Sequence, residues 1–302
     1  MTKLRIFRVS AAFAAILGVA LAFIPLLAVH GVESALALGL LLPPWVAATA
    51  ASYVTRNRND RGIDLMLRAT GAGLGLWAIP VALLALSSLR VRQCAPGEGL
   101  AFMVLGPAVG CALAGSVGVW IAATATRPKW APWLAALVPV GAALLGVFAF
   151  YATPTVYVFG AFAGYFPGAI YDDLVQIPSR YLTYRATLLV AVLALALLFD
   201  ALWDSESGCL DVRGRWRERL GAVLVSAAAL GIVASSYWLG DRLGHWVSKA
   251  YVVERLGKTE EGRHCVVHMP RETRPDDARR LLEDCDFHVE RTRKLVGLTS
   301  TE

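Results

Sequence analysis

Seven apolar runs occupy most of this chain, each close to the roughly 20 residues that cross ~30 Å of hydrocarbon. They extend from Val9 to Val29, Ser34 to Val54, Leu67 to Leu89, Leu100 to Ala125, Trp130 to Ala152, Ala186 to Trp203 and Leu220 to Leu239. A polar stretch follows. The pattern predicts a mainly α fold: a polytopic membrane helix bundle of about seven transmembrane helices over residues 1–240. A juxtamembrane helix and a small, partial α+β extracytoplasmic tail then occupy 241–302. The first run follows Lys3, Arg5 and Arg8 and lacks a small-x-small cleavage site at its end, so it reads as an uncleaved anchor rather than a signal peptide.

Between the fifth and sixth runs the pattern breaks. Residues 153–180 are aromatic and Gly-rich, with Gly160, Gly164 and Gly168 four apart and Phe162, Tyr165 and Phe166 between them. The segment is too short and too interrupted to span alone, which predicts a re-entrant or interfacial loop on the outer face. In the tail, apolar positions 246, 247, 250, 253 and 256 have helical spacing. They read as the seventh span running on into an amphipathic helix that stops at Gly257, before a polar turn at 258–262. His264 to Pro270 carries a β-branched pair and a Pro stop and reads as a strand. Pro275-Asp276-Asp277 opens a helix whose apolar face is 278, 281, 282, 285, 289 and 295 and which ends near Gly297.

Composition agrees with the pattern. The chain is 57% hydrophobic and 17% charged, against about 25% charged in soluble domains, so its first partner is the lipid bilayer. The net charge of +6 comes with no nucleic-acid-binding motif, and no nucleic-acid partner is expected. Basic residues instead set orientation. Lys3, Arg5, Arg8, Arg56, Arg58, Arg61, Arg127, Lys129, Arg213, Arg215, Arg217 and Arg219 fall on one side of the alternating loops; Arg90, Arg92, Arg180 and Arg185 fall on the other. Twelve against four makes the N-terminus cytoplasmic and, with seven crossings, the tail extracytoplasmic.

Charges within the runs are few. Arg68, Arg185 and Asp200 lie near run ends, where they can snorkel to the interface. Without ionisable groups at the midplane, a proton or sodium pump is disfavoured. Gly71 with Gly75 and Gly106 with Gly110 read as small-residue packing faces within the chain. Tyr165, Phe166, Asp172 and Asp173 are the candidate ligand-facing residues of the outer loop, and a structural interfacial cap is the competing reading. Two adjacent carboxylates are too few for a cation site. Cys265 on the strand and Cys285 on the helix face form a candidate disulfide, or else two buried thiols; Cys111 and Cys209 are expected free. His264 and His268 are four apart, but a zinc-protease pair needs a helix and a Glu after the first His, where this chain has Cys265. No phosphate-binding Gly-x-x-x-x-Gly-Lys loop and no Gly-x-Ser-x-Gly elbow occurs. No catalytic, cofactor-binding or metal-ligating residues are assigned.

The strand ending in Met269-Pro270 and the helix from Ala278 to Gly297 resemble the opening of peptidase-MA-like (gluzincin) metallopeptidase domains. Cys94 to Leu100 and Gly164 to Asp173 resemble loops of bacterial polytopic membrane proteins that carry such a domain. The resemblance implies a membrane anchor in the bacterial inner (cytoplasmic) membrane with the first β–α unit of a peptidase domain. The zinc ligands and general base of that family have no counterpart here, because His-Glu-x-x-His is absent. Zinc and peptidase activity are therefore expected only with a missing C-terminal half, the chain being a truncated or frameshifted product or one whose remainder is separately encoded. That half, or another envelope protein, is the expected partner. The alternatives are a non-enzymatic membrane protein that binds or passes an envelope ligand, or a sensor or scaffold acting through its tail.

Overall fold

The computed structural model describes residues 2–93, 95–168, 175–211 and 218–297. It is mainly helical. Seven long stretches build the first compact unit, Met1–Trp246: α1 (Thr2–Ala22), α2 (Val32–Val54), α3 (Gly62–Ser87), α4 (Pro96–Met103) running on into α5 (Val109–Thr124), α6 (Ala131–Ala152), α7 (Ser179–Leu202) and α8 (Leu220–Trp238). The described residues of this unit also hold the short strands β1 (Val158–Gly160), β2 (Gly164–Phe166), β3 (Trp203–Asp204) and β4 (Cys209–Leu210). A π-turn at Val104–Ala108 joins α4 to α5. Pro107 lies inside it and has no N–H to continue the ladder, a common cause of such a bulge.

Among the described residues six helical stretches are long and apolar enough to cross a membrane, and Ile6–Ala22 is a shorter apolar helix. The first run thus lies earlier than its apolar pattern predicts. Its helix begins among the basic residues and ends at Ala22, ahead of Pro25, which cannot continue a helix. At 21 residues, α1 is still about 31 Å long.

The connections sort into two ends of the unit. At one end Arg58 donates to Ala122 O at 3.2 Å, Trp203 Nε1 to Asp60 O at 3.0 Å, and Arg219 pairs with Asp200. At the other, Arg90 donates to Ala22 O, Gln93 Nε2 to His30 O at 2.5 Å, and the Tyr157 hydroxyl to Gly244 O at 2.5 Å. Helix α1 runs between them: Ile6 lines a pocket with Arg56, while Ala22 meets Arg90. The start of the chain and residue 244 therefore lie at opposite ends.

Helices α2 and α5 form the centre, packed with Leu42, Val46, Leu65, Met66, Leu76 and Phe199 buried around them. Gly118 admits Ala47 of α2, and Gly73 of α3 admits Val46 and Cys111; this close backbone approach is how lipid-embedded helices gain contact. Gly71 and Gly75, predicted to pack, have nothing within 4 Å of where a side chain would start. Two-residue offsets decide this: Gly73 faces inward, so Gly71 and Gly75, each about 200° around the helix from it, face away. On α6 and α8, Leu137, Leu144, Phe148, Leu224 and Ile232 are exposed, as lipid-facing surfaces require.

The second unit begins at Val247. Helix α8 does not run on into the tail: it ends at Trp238, and α9 is a separate helix (Lys249–Leu256), capped by the Ser248 hydroxyl accepting from Tyr251 N at 3.1 Å. Gly257 ends α9 at φ +75°, a conformation in which glycine has no Cβ penalty. The expected polar turn after it is instead a strand, β5 (Gly257–Glu261), because its residues pair antiparallel with β6 (Val266–Pro270) from Gly257↔Pro270 to Glu261↔Val266. Helix α10 (Pro275–Val296) starts with Pro275 and two aspartates and ends at Gly297, φ +72°.

Candidate functional site

The segment after α6 folds into a hairpin that enters the bundle. Val158–Gly160 and Gly164–Phe166 (β1 and β2) pair antiparallel, Phe159 opposite Tyr165, around a turn at Ala161–Ala163. Tyr157, Phe159 and Phe162 are buried. A side chain at Gly110 of α5 would overlap the carbonyl of Phe162, and one at Gly39 of α2 would overlap that of Ala163. The Gly106–Gly110 pair is thus a seat for the hairpin backbone rather than for another helix. Gly164 lies beside Gly106 with φ +104°, a region that only glycine enters readily.

A turn buried in this way needs donors for its carbonyls, since hydrocarbon offers none. Arg185 of α7 supplies them. Its Nη1 donates to Ala161 O and its Nη2 to Gly160 O, both at 2.9 Å. The sequence places Arg185 near a run end and free to snorkel. It is instead 1% exposed, with its guanidinium carbon 4.9 Å from the Tyr181 ring centroid and 5.7 Å from that of Tyr184. The planar fork can bridge two adjacent carbonyls and stack on aromatic faces, which a lysine cannot do.

Tyr165 and Phe166, two of the four candidate ligand-facing residues, are half-buried on β2. The Tyr165 ring lies 5.3 Å from Phe159, 5.4 Å from Tyr181 and 6.2 Å from Phe102, and Phe166 meets Phe150 edge-on at 5.2 Å. The other two, Asp172 and Asp173, lie outside the described residues, as does Cys94. The Tyr181 hydroxyl is buried without a hydrogen-bond partner. At the hairpin's entrance Arg180 stacks on Tyr157 at 4.2 Å, and Thr183 Oγ1 lies 3.3 Å from His245 Nε2. His245 is 4% exposed, and burial holds its imidazole below the usual histidine range, opposed by a hydrogen bond with the Ser236 backbone. Sequence reasoning missed Arg185, Tyr157 and Phe159. The available signal was a five-residue Gly-Ala-Phe-Ala-Gly turn facing a lone arginine.

At the opposite end, Asp200 Oδ1 accepts from Ile63 N at 2.8 Å, satisfying the start of α3 while pairing with Arg219. Arg68 Nη1 contacts Asp60 at 3.0 Å and the Tyr53 hydroxyl at 3.1 Å. These charges tie loops together.

In the second unit Cys265 and Cys285 lie at disulfide distance, Cα–Cα 6.2 Å, joining the start of β6 to α10. Asp286 reinforces the joint by accepting from Arg263 N and His264 N at 2.8 Å each. Those backbone bonds hold its carboxyl below the usual range, the His264 one first. Cys111 is free and buried, and Cys209 is free and exposed. His268 Nδ1 is engaged with Thr259 Oγ1 across the hairpin at 2.9 Å, and no group of three His, Cys, Asp or Glu able to hold a metal occurs among the described residues. Only Ala278 of α10 is buried. Leu281 and Leu295, predicted on the core face, are exposed along with Phe287 and Val296. A groove of about 340 Å³ runs along Cys285, His288, Val289, Thr292 and Val296.

No family model, curated protein or solved structure matches this chain.

Proposed function

We propose that this chain is a bacterial inner-membrane protein that holds a stapled hairpin–helix module outside the cytoplasm, where the module docks onto a further polypeptide. The observation that carries the reading is the uncovered apolar face of α10: Leu281, Leu295 and Val296 share one side of the helix and stand exposed on a helix already fixed by a cystine and by Asp286. An exposed apolar helix face on a rigid mount is a docking surface. The same face fits the resemblance to the opening unit of a peptidase-MA-like domain, whose remaining sheet would cover it. Orientation has two independent supports. The basic residues gather at the end opposite residue 244, and a cystine belongs to an oxidising compartment.

The residues present do not form the zinc site of that family: His268 is engaged with Thr259, and the ligand motif is absent. Catalysis, where it occurs, belongs to the docked chain. Photo-crosslinkers at Leu281 and Leu295 in intact cells test the reading. The expected adduct is an envelope polypeptide bearing His-Glu-x-x-His. Crosslinks to lipid alone from both positions would overturn it. A second reading, an envelope-ligand surface at the outer hairpin, draws on the unpartnered Tyr181 hydroxyl beneath Tyr165. It predicts that Tyr165→Ala with Phe166→Ala abolishes ligand retention in a protein that still folds.

A further inference from the structure

Two hollows meet at Arg56. One is an open groove of about 690 Å³ on the flank formed by α1, α2 and α6, walled by Leu41, Pro44, Trp45, Ala48 and Trp133. The other is a pocket of about 160 Å³ between α1, α2 and α3, reaching from Val46, Gly73 and Leu76 to Arg56, Asn57 and Arg68. Ile6, Thr49 and Arg56 border both.

The polar end of this pair is incomplete. Asn57 is 6% exposed; its Nδ2 donates to Tyr53 O at 2.6 Å, which fixes the amide, and its Oδ1 is buried with no donor. Buried acceptors in folded proteins are nearly always paired, so the pocket calls for a hydroxyl or ammonium at that point. Arg68 is already balanced by Asp60. Arg56 is exposed and has no carboxylate partner among the described residues, which leaves one positive charge over at the mouth.

The groove supplies the complementary half. From Leu41 to Thr49 its α2 wall is apolar or weakly polar, and it becomes polar only at Ser52 and Arg56. The thirteen helical steps from Leu41 to Val54 cover about 20 Å, close to one leaflet with its headgroups, about half of the 40–45 Å bilayer. The wall therefore changes from apolar to cationic over the same length as a phospholipid changes from chain to phosphate.

We propose that Arg56, Asn57 and the groove along α2 form a binding site for an anionic phospholipid whose headgroup carries a hydroxyl. Arg56 takes the phosphate in a charge-assisted bond, Asn57 Oδ1 accepts the headgroup hydroxyl, and an acyl chain lies against Leu41, Pro44, Trp45 and Ala48. The site needs only a bilayer and is independent of which end faces the cytoplasm.

The test is native mass spectrometry of the full-length protein in detergent, titrated with phosphatidylglycerol or with phosphatidylcholine of identical chains. One phosphatidylglycerol should be retained about tenfold more tightly than phosphatidylcholine, the scale of one charge-assisted contact. Arg56→Gln, at an exposed position, should erase that preference. Ala48→Trp, which fills the groove away from the headgroup, should weaken retention of both lipids. Equal retention of the two lipids, or an unchanged preference in Arg56→Gln, overturns the proposal. Displacement of the lipid by an equal concentration of glycerol 3-phosphate also overturns it, since the site would then serve a soluble phosphate.

Discussion

Arg185 lies with its guanidinium directly beneath the turn carbonyl of Ala161, at 2.9 Å, and takes that of Gly160 with the same fork. One buried cation on α7 thus satisfies the backbone of a hairpin belonging to a different part of the chain. Non-helical backbone is tolerated at membrane depth only when protein surrounds it and its polar groups are paired. The hairpin meets both conditions, through the glycine seats on α2 and α5 and through Arg185.

Replacing Arg185 with Met should leave two buried carbonyls unpaired, each worth about 1–3 kcal/mol. The expected loss is about 3 kcal/mol in total. Arg185→Lys should recover less than half, because an ammonium cannot bridge both oxygens in one plane. Thermal unfolding of the detergent-solubilised protein checks this. A melting temperature unchanged in Arg185→Met would mean that water reaches the turn.

The glycine seats make a sharper contrast. Gly110→Ala and Gly39→Ala each put a methyl where a hairpin carbonyl sits, and overpacking of this kind costs about 1–3 kcal/mol. Because the neighbour is backbone, the hairpin should lift out and become a cleavage site for added protease. Gly71→Ala and Gly75→Ala meet open space and should match the parent, or exceed it slightly by Ala's better helix propensity. Equal protease resistance across all four variants would remove the seat.

How far the sequence discloses this arrangement depends on the length scale of each signal. Long apolar runs need only composition to be recognised, and Gly257, Pro275 and Gly297 mark the ends of the tail helices by local backbone rules. The hairpin is different. Its three-residue strands carry no usable period, and an arginine one turn inside a helix can reach headgroups or turn inward with equal local chemistry. Only the distant carbonyls of Gly160 and Ala161 decide. Gly106 and Gly110 gave the right signal, close approach, but not the identity of what approaches. The start of α1 was shifted for a related reason: apolarity locates the hydrocarbon, whereas Pro25 and the basic first turn locate the helix.

The tail's joint should respond to reductant and to acid separately. The Cys265–Cys285 link closes a loop of 20 residues, for which chain entropy gives roughly 3 kcal/mol. Reduction should therefore expose α10 to trypsin in the intact protein. Asp286 carries a folded-state pKa below its unfolded value of 3.8, so its contribution is present above that value. It is lost as pH falls through the lower, folded pKa. The protection of the Arg263 and His264 amides from hydrogen exchange, relative to their intrinsic rates, should fall below about pH 4, and Asp286→Asn should remove that acid dependence. A joint insensitive to both treatments would place its stability elsewhere.

Orientation reduces to the position of one thiol. Cys209 is exposed and lies with Trp203 and Asp204 at the basic end of the first unit, whereas Cys111 is buried. If basic residues mark the cytoplasmic face, a membrane-impermeant maleimide should leave Cys209 untouched in right-side-out vesicles. It should label Cys209 fully in inverted ones. A Cys94→Ser background keeps the readout on Cys209, and the linked pair Cys265–Cys285 does not react until reduced. Reduction under impermeant conditions should then expose those two thiols in right-side-out vesicles alone. Labelling of both ends from the same side would mean that α8, the helix between Cys209 and the tail, fails to cross. Deleting α1, the shorter apolar helix, is a separate test: the tail's labelling stays unchanged if α1 does not cross, whereas a crossing α1 requires the tail to change sides or the protein to be lost.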